Sequence, residues 1–87
     1  MSKSLNIKIP LSVASQLDST GELTPSFLAE WIIDHKDKTV SETPISELCV
    51  NYTFKVEDEL HMELKIKAIR NGLAMNEMIG RLLKEYY

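Results

Sequence analysis

The 87-residue sequence contains the same pattern twice: a segment in which polar and apolar residues alternate, followed by two segments with helical spacing. An apolar period of two residues predicts a half-buried strand, and a period of three to four predicts an amphipathic helix. An isolated strand leaves its backbone groups unpaired, and even a two-stranded hairpin is barely stable in water. The two strands are therefore expected to pair and to be covered by helices on one face.

The second copy begins at Cys49. Its strand has an apolar face, Tyr52, Phe54 and Val56, and a polar face, Asn51, Thr53 and Lys55. A helix is predicted from about Asp58 to Arg70, because the acidic residues 57–59 offer a cap and negative charge in the first turn. Gly72 is a stop signal, since glycine at the C′ position takes the left-handed conformation without steric cost. Asn76 is predicted to cap the last helix, whose apolar stripe is Met78, Ile79, Leu82, Leu83 and Tyr86.

The first copy is more compact. Its strand alternates the polar residues Ser4, Asn6 and Lys8 with the apolar residues Leu5, Ile7 and Ile9. Pro10 ends the strand, and a short helix is predicted from about Leu11 to Ser19, with Gly21 as its stop. Thr24 is predicted to be the N-cap of the next helix, and Pro25 its first residue. They precede the stripe Phe27, Leu28, Trp31, Ile32 and His35.

The two copies align with one change of offset. Lys8 and Lys55 are 47 positions apart, whereas Gly21 and Gly72 are 51 apart. The difference of four residues is about one helical turn. A deletion of one turn in the first helix keeps the strand and the second helix in phase, so the repeat predicts one architecture for both halves.

This pattern predicts a mainly α fold with a two-stranded antiparallel ribbon, in the order β-α-α-linker-β-α-α. The first motif spans residues 1–35, a polar linker residues 36–48, and the second motif residues 49–87, together forming one compact domain with a modest core. Two arrangements remain open. The strands pair within one chain as an intramolecular pseudo-dimer, or between two chains as a homodimer.

Several classes of function lack support in the sequence. Cys49 is the only cysteine, and neither histidine lies at a metal-ligand spacing from it. No nucleophile-base pair, phosphate loop or paired catalytic carboxylates can be identified. We therefore expect no enzymatic activity and no cofactor. Without a leader pattern or a long apolar run, we expect a cytoplasmic protein without a membrane partner.

The charge distribution limits how the chain could hold an anionic partner. Residues 1–47 contain four lysines and seven carboxylates, giving −3, while residues 48–87 contain six basic and six acidic groups, giving 0. Bulk electrostatics would not hold such a chain on nucleic acid. Any DNA contact must use a local basic surface.

Within residues 49–87, the run VNYTFKVEDELHMELKIKAIRNGLAMNEMIGRLLKEYY, which begins at Val50, resembles the ribbon-helix-helix (Arc/MetJ-type) DNA-binding family in its strand, NG turn and closing apolar helix. Residues 4–35 follow the same order with a shorter first helix. Two motifs in one chain are similar to the tandem arrangement of TraY-type accessory proteins of plasmid conjugation. The resemblance implies binding to double-stranded DNA, as a transcriptional repressor or a plasmid-type accessory factor.

The resemblance also implies the site residues. Base contacts fall on the outward residues of the ribbon, Ser4, Asn6, Lys8, Asn51, Thr53 and Lys55. Phosphate contacts fall on the start of each second helix, at Thr24, Ser26 and Asn76. Self-association into dimers or cooperative arrays on DNA is a further expectation. Two alternatives stay open: an antitoxin, and an acidic protein-interaction module that binds a basic partner without DNA.

Overall fold

Two strands and four helices make up the computed structural model, which describes residues 1–87. In chain order they are β1 (Ser2–Pro10), α1 (Leu11–Ser19), α2 (Pro25–His35), β2 (Cys49–Glu57), α3 (Asp58–Arg70) and α4 (Met75–Tyr86). About half of the residues are helical. None of the helices is both long enough and apolar enough to cross a membrane.

The strands form a two-stranded antiparallel sheet within the single chain, as predicted for the ribbon. Ser2 lies opposite Glu57 at one end, and Pro10 lies opposite Cys49 at the other. Leu5, Ile7 and Ile9 of β1 are completely buried. Because side chains alternate between the two faces of a strand, the residues between them point to the opposite face.

One hydrophobic core lies against the inner face of this sheet, which we call the ribbon. It contains 19 buried residues, and every strand and helix contributes to it. Apolar residues at helical spacing in α1 and α3 are buried there: Val13, Leu17, Leu60, Leu64 and Ala68. The prediction for Tyr86 was wrong. Tyr86 is 37% exposed, because the last turn of α4 extends past the core, and its hydroxyl donates to the carbonyl oxygen of Thr39.

The glycine stops are confirmed. Gly21 and Gly72 have φ of 73° and 67°, in the left-handed region that favours glycine. After α3, the N–H of Leu73 donates to the carbonyl oxygen of Ala68, which closes a Schellman-type end. The predicted cap of α2 is also confirmed, since Thr24 Oγ1 accepts from the N–H of Phe27 at 3.2 Å.

Two predicted caps were wrong. α4 begins two residues earlier than expected, with Ala74 at the N-cap position, because the tight end of α3 turns the chain at once into the next helix. Asn76 therefore lies inside the first turn, where its Oδ1 accepts from the N–H of Glu77 at 2.7 Å. At the start of α3, Glu57 makes no side-chain capping bond. Asp58 and Glu59 act there through first-turn charge instead.

The connecting segment, residues 36–48, contains no helix or strand but packs closely against the helices. Val40 is buried in the core. The guanidinium of Arg81 in α4 donates to the carbonyl oxygens of Ser41 and Glu42, each at 3.1 Å. These contacts hold the middle of the segment against the last helix.

Glu47 in this segment caps a helix that is distant in sequence. Pro10, the N-cap residue of α1, has no side chain that can accept a hydrogen bond. Glu47 Oε1 instead accepts from the N–H of Ser12 at 2.8 Å, and its other oxygen accepts from the ammonium of Lys84. The Lys84 and Ser12 hydrogen bonds lower the pKa of Glu47 to about 2.

Glu47 should make folding sensitive to acid. A carboxyl group whose pKa is lower in the folded chain than in the unfolded chain stabilises the folded state. This stabilisation is complete above the unfolded pKa of 4.5, and it is lost as the pH falls toward about 2. We expect Glu47→Gln to lower stability at neutral pH and to flatten the pH dependence of stability between 4.5 and 2. Urea denaturation at several pH values measures both effects.

Glu85→Gln is the matched control, because Glu85 is exposed and makes no ion pair. That variant should follow the wild-type pH profile. Parallel pH profiles for Glu47→Gln and wild type would contradict the capping role of Glu47.

Candidate nucleic-acid interface

The outward face of the ribbon carries the six polar residues predicted from the alternation. They lie in three directly opposed pairs: Ser4 with Lys55, Asn6 with Thr53, and Lys8 with Asn51. Five of the six are exposed, and Lys8 is partly buried. The structure therefore brings all six predicted ribbon residues together on one face, about 13 Å long between the first and last pair.

The register relates the two strands by an approximate twofold axis. Asn6 faces Thr53, and these two residues are separated by the same 47 positions that separate the repeats in the sequence. A rotation about an axis through this pair exchanges the Ser4–Lys55 pair with the Asn51–Lys8 pair. One lysine consequently lies at each end of the face, on opposite strands.

The two lysines have different surroundings. Lys8 Nζ lies 3.8 Å from Glu77 Oε1 in α4, and 41% of the Lys8 side chain is exposed. Glu77 also accepts from Arg81 Nε at 3.1 Å. Lys55 is exposed and has no carboxylate within ion-pair distance. Only the Lys55 end of the face therefore presents an uncompensated positive charge.

Gly80 explains why α4 comes so close to Lys8. A Cβ atom at this position would lie 2.6 Å from the backbone carbonyl oxygen of Lys8 and 2.7 Å from Cδ1 of Ile45. Only a residue without a side chain allows this approach. The contact places the first turn of α4, including Glu77, beside the end of the ribbon.

The residues predicted to bind phosphate lie at the starts of the two second helices. Thr24 caps α2, and Ser26 is exposed in the first turn of that helix. Asn76 is partly buried, and its amide oxygen accepts from its own helix. The first turn of α2 contains no acidic residue, whereas that of α4 contains Glu77. The two helix starts therefore differ in charge. Neither Thr24 nor Ser26 hydrogen-bonds to a ribbon residue.

The sequence interpretation missed the roles of Glu77, Gly80 and Arg81. The four-residue spacing of Glu77 and Arg81 was visible and is typical of a helical ion pair. Nothing in the sequence indicated that Glu77 would also reach Lys8, because that contact spans 69 positions along the chain. Sequence reasoning therefore found the members of the face but not the difference between its two ends.

Cys49 lies near the Lys8 end of the ribbon, opposite Pro10. Burial raises the pKa of the Cys49 thiol, and the charge of Glu77 adds to this effect. The thiol is therefore protonated at neutral pH. The structure contains no group of three or more His, Cys, Asp or Glu side chains that could hold a metal ion.

Comparisons of the chain with family models, with curated proteins and with solved structures give no match. A functional assignment for this protein therefore depends on the outward face of the ribbon and on the elements that position it.

Proposed function

We propose that the chain binds double-stranded DNA by inserting the ribbon into the major groove, as a tandem ribbon-helix-helix protein of the repressor or plasmid-accessory type. The observation that carries the proposal is the outward face itself, where six polar side chains lie in three opposed pairs. A two-stranded ribbon fits the major groove, which is about 12 Å wide. None of the six side chains is needed to fill the core.

The chemistry of the face suits base reading. The amides of Asn6 and Asn51 can pair with adenine N6 and N7, and the ammonium groups of Lys8 and Lys55 with guanine O6 and N7. The hydroxyl groups of Ser4 and Thr53 can donate or accept. The approximate twofold axis through Asn6 and Thr53 supports the tandem interpretation, and it favours a DNA site with two related but unequal halves.

Phosphate contacts would set the position of the protein on DNA. The first turn of a helix offers free N–H groups and the positive end of the helix dipole. The start of α2, with Thr24 and Ser26, suits a phosphate because it has no acidic residue, whereas Glu77 repels an anion beside Asn76. We therefore expect α2 to make the stronger phosphate contact.

The test is selection of binding sites from a randomised double-stranded DNA pool, followed by titration of a selected duplex. We expect the double variant Lys8→Ala, Lys55→Ala to lose about tenfold or more in affinity and to bind with a smaller salt dependence. Among the single variants, Lys55→Ala should lose more, because Lys8 must first leave Glu77.

The double variant Lys36→Ala, Lys38→Ala is the matched control, since it removes the same charge from the connecting segment. It should keep most of the affinity for the selected duplex. Unchanged affinity and an unchanged salt slope in the ribbon variant would overturn the proposal, as would a failure of the pool to yield any preferred sequence.

A further inference from the structure

A carboxylate beside the Lys8 end of the ribbon is held in place from the other side. Glu77 Oε1 lies 3.8 Å from Lys8 Nζ, and Glu77 Oε2 accepts from Arg81 Nε at 3.1 Å. Arg81 is itself fixed, because its guanidinium also donates to the carbonyl oxygens of Ser41 and Glu42. The side chains of Glu77 and Arg81 are only 24% and 12% exposed. The carboxylate therefore has an anchor that does not involve the ribbon.

The packing of α4 on β1 fixes the same carboxylate a second time. Met78 and Ile79, which follow Glu77, are completely buried. Gly80 brings the helix backbone against the carbonyl group of Lys8. A rotation of α4 about its axis would expose the two apolar side chains to water, which is unfavourable. Glu77 is therefore held beside Lys8 by the core as well as by Arg81.

The other end of the ribbon has no such carboxylate. The repeat relates Glu77 to Ser26, which lies 51 positions earlier in the first turn of α2. It likewise relates Lys8 to Lys55, which takes part in no ion pair. A hydroxyl group thus occupies the position in the first repeat that a carboxylate occupies in the second. The approximate twofold symmetry of the ribbon is broken in charge at this position.

The two ends of the outward face would behave differently toward an anionic partner. Lys55 is free to contact a phosphate or a base edge, and a lysine that neutralises a phosphate releases a counterion. Lys8 must first separate from Glu77, which then remains beside it as a negative charge. Arg81 offsets this charge only in part, because its guanidinium is mostly buried and already donates to two carbonyl oxygens. The carboxylate therefore reduces what a Lys8 contact can contribute to affinity.

We propose that Glu77 restrains Lys8 and so makes the two ends of the outward face contribute unequally to DNA affinity, with the Lys55 end dominant. This role rests on the proposed DNA binding, since the restraint affects affinity only where Lys8 contacts DNA. Glu77 is a positioning residue, because it acts through Lys8 and needs no contact with DNA of its own. Its anchor is Arg81, so the restraint is present before DNA is bound.

The thiol of Cys49 reports the placement of Glu77 without DNA. Burial raises the pKa of this thiol, and the charges of Glu77 and Glu47 raise it further, whereas that of Lys8 lowers it. We expect Glu77→Gln to lower the thiol pKa, as measured by the rate of alkylation with iodoacetamide over a range of pH. Glu85→Gln, which removes an exposed charge from the same helix, should leave it unchanged. An unchanged thiol pKa in Glu77→Gln would overturn the proposal.

The affinity for a duplex selected from the randomised pool tests the consequence. Glu77→Gln should bind about threefold more tightly, with a salt slope steeper by about 0.9, because one more lysine is available to neutralise a phosphate. The glutamine can still accept from Arg81, which limits the change to the charge. Glu85→Gln should bind like wild type. Equal or weaker binding by Glu77→Gln would overturn the proposal and leave the proposed DNA binding intact.

A double-mutant cycle shows whether Glu77 acts through Lys8. The gain in affinity from Glu77→Gln should be smaller when Lys8 is replaced by alanine, and it should keep its full size when Lys55 is replaced. Gains of equal size in both backgrounds would show that the carboxylate repels DNA directly, and would overturn the restraint of Lys8. A pool without any preferred duplex would overturn the proposed function and this role together, which is a different result from a bound duplex that is insensitive to Glu77→Gln.

Discussion

Replacing Ile7 by alanine is expected to lower the free energy of unfolding by about 2–5 kcal/mol. Ile7 is completely buried at the centre of β1. The truncation removes apolar contacts and leaves a cavity between the ribbon and the helices, which a tightly packed core fills only in part. Urea denaturation measures the loss as a lower midpoint with an unchanged slope.

Asn6→Ala is the control for this result, because Asn6 is the neighbouring residue on the outward face. We expect it to change stability by no more than about 0.5 kcal/mol, since its side chain is exposed. On the proposed function, the same variant binds a selected DNA duplex more weakly. A loss of stability as large as that of Ile7→Ala would contradict the assignment of the two faces.

Gly80→Ala should destabilise the fold by roughly 1–3 kcal/mol, although alanine is intrinsically favoured over glycine in a helix by about 1 kcal/mol. The new Cβ would lie 2.6 Å from the carbonyl oxygen of Lys8, which is backbone and cannot rotate away. α4 would have to move outward from β1, and the separation of Lys8 and Glu77 would change with it. Thermal and urea denaturation both report the effect.

The pair Glu85→Gly and Glu85→Ala isolates the helix propensity at an exposed position of the same helix. There the alanine variant should be the more stable one, by at most about 1 kcal/mol, because Glu85 lies in the last turn of α4. A stabilising effect of Gly80→Ala would contradict the close packing of α4 on the backbone of Lys8.

The sequence predicted the elements well where the signals are local. Alternation identified both strands and assigned Asn6 and Ile7 to opposite faces, because the side-chain period of a strand requires no distant partner. Gly21 and Gly72 ended their helices as expected, since only glycine takes a positive φ at little cost. The predictions that were wrong concern positions whose structure depends on neighbouring elements. The cap at Asn76 depended on how α3 ends, and the exposure of Tyr86 depended on where the core ends.

By itself, the sequence determined which residues form the ribbon and which six of them lie on its polar face. The tertiary structure decided the register that sets Asn6 opposite Thr53, the ion pair between Lys8 and Glu77, and the capping of α1 by Glu47. These features join residues that are 35 to 69 positions apart. Periodicity and propensity describe neighbours along the chain, whereas contacts at that separation follow from how the helices pack against the ribbon.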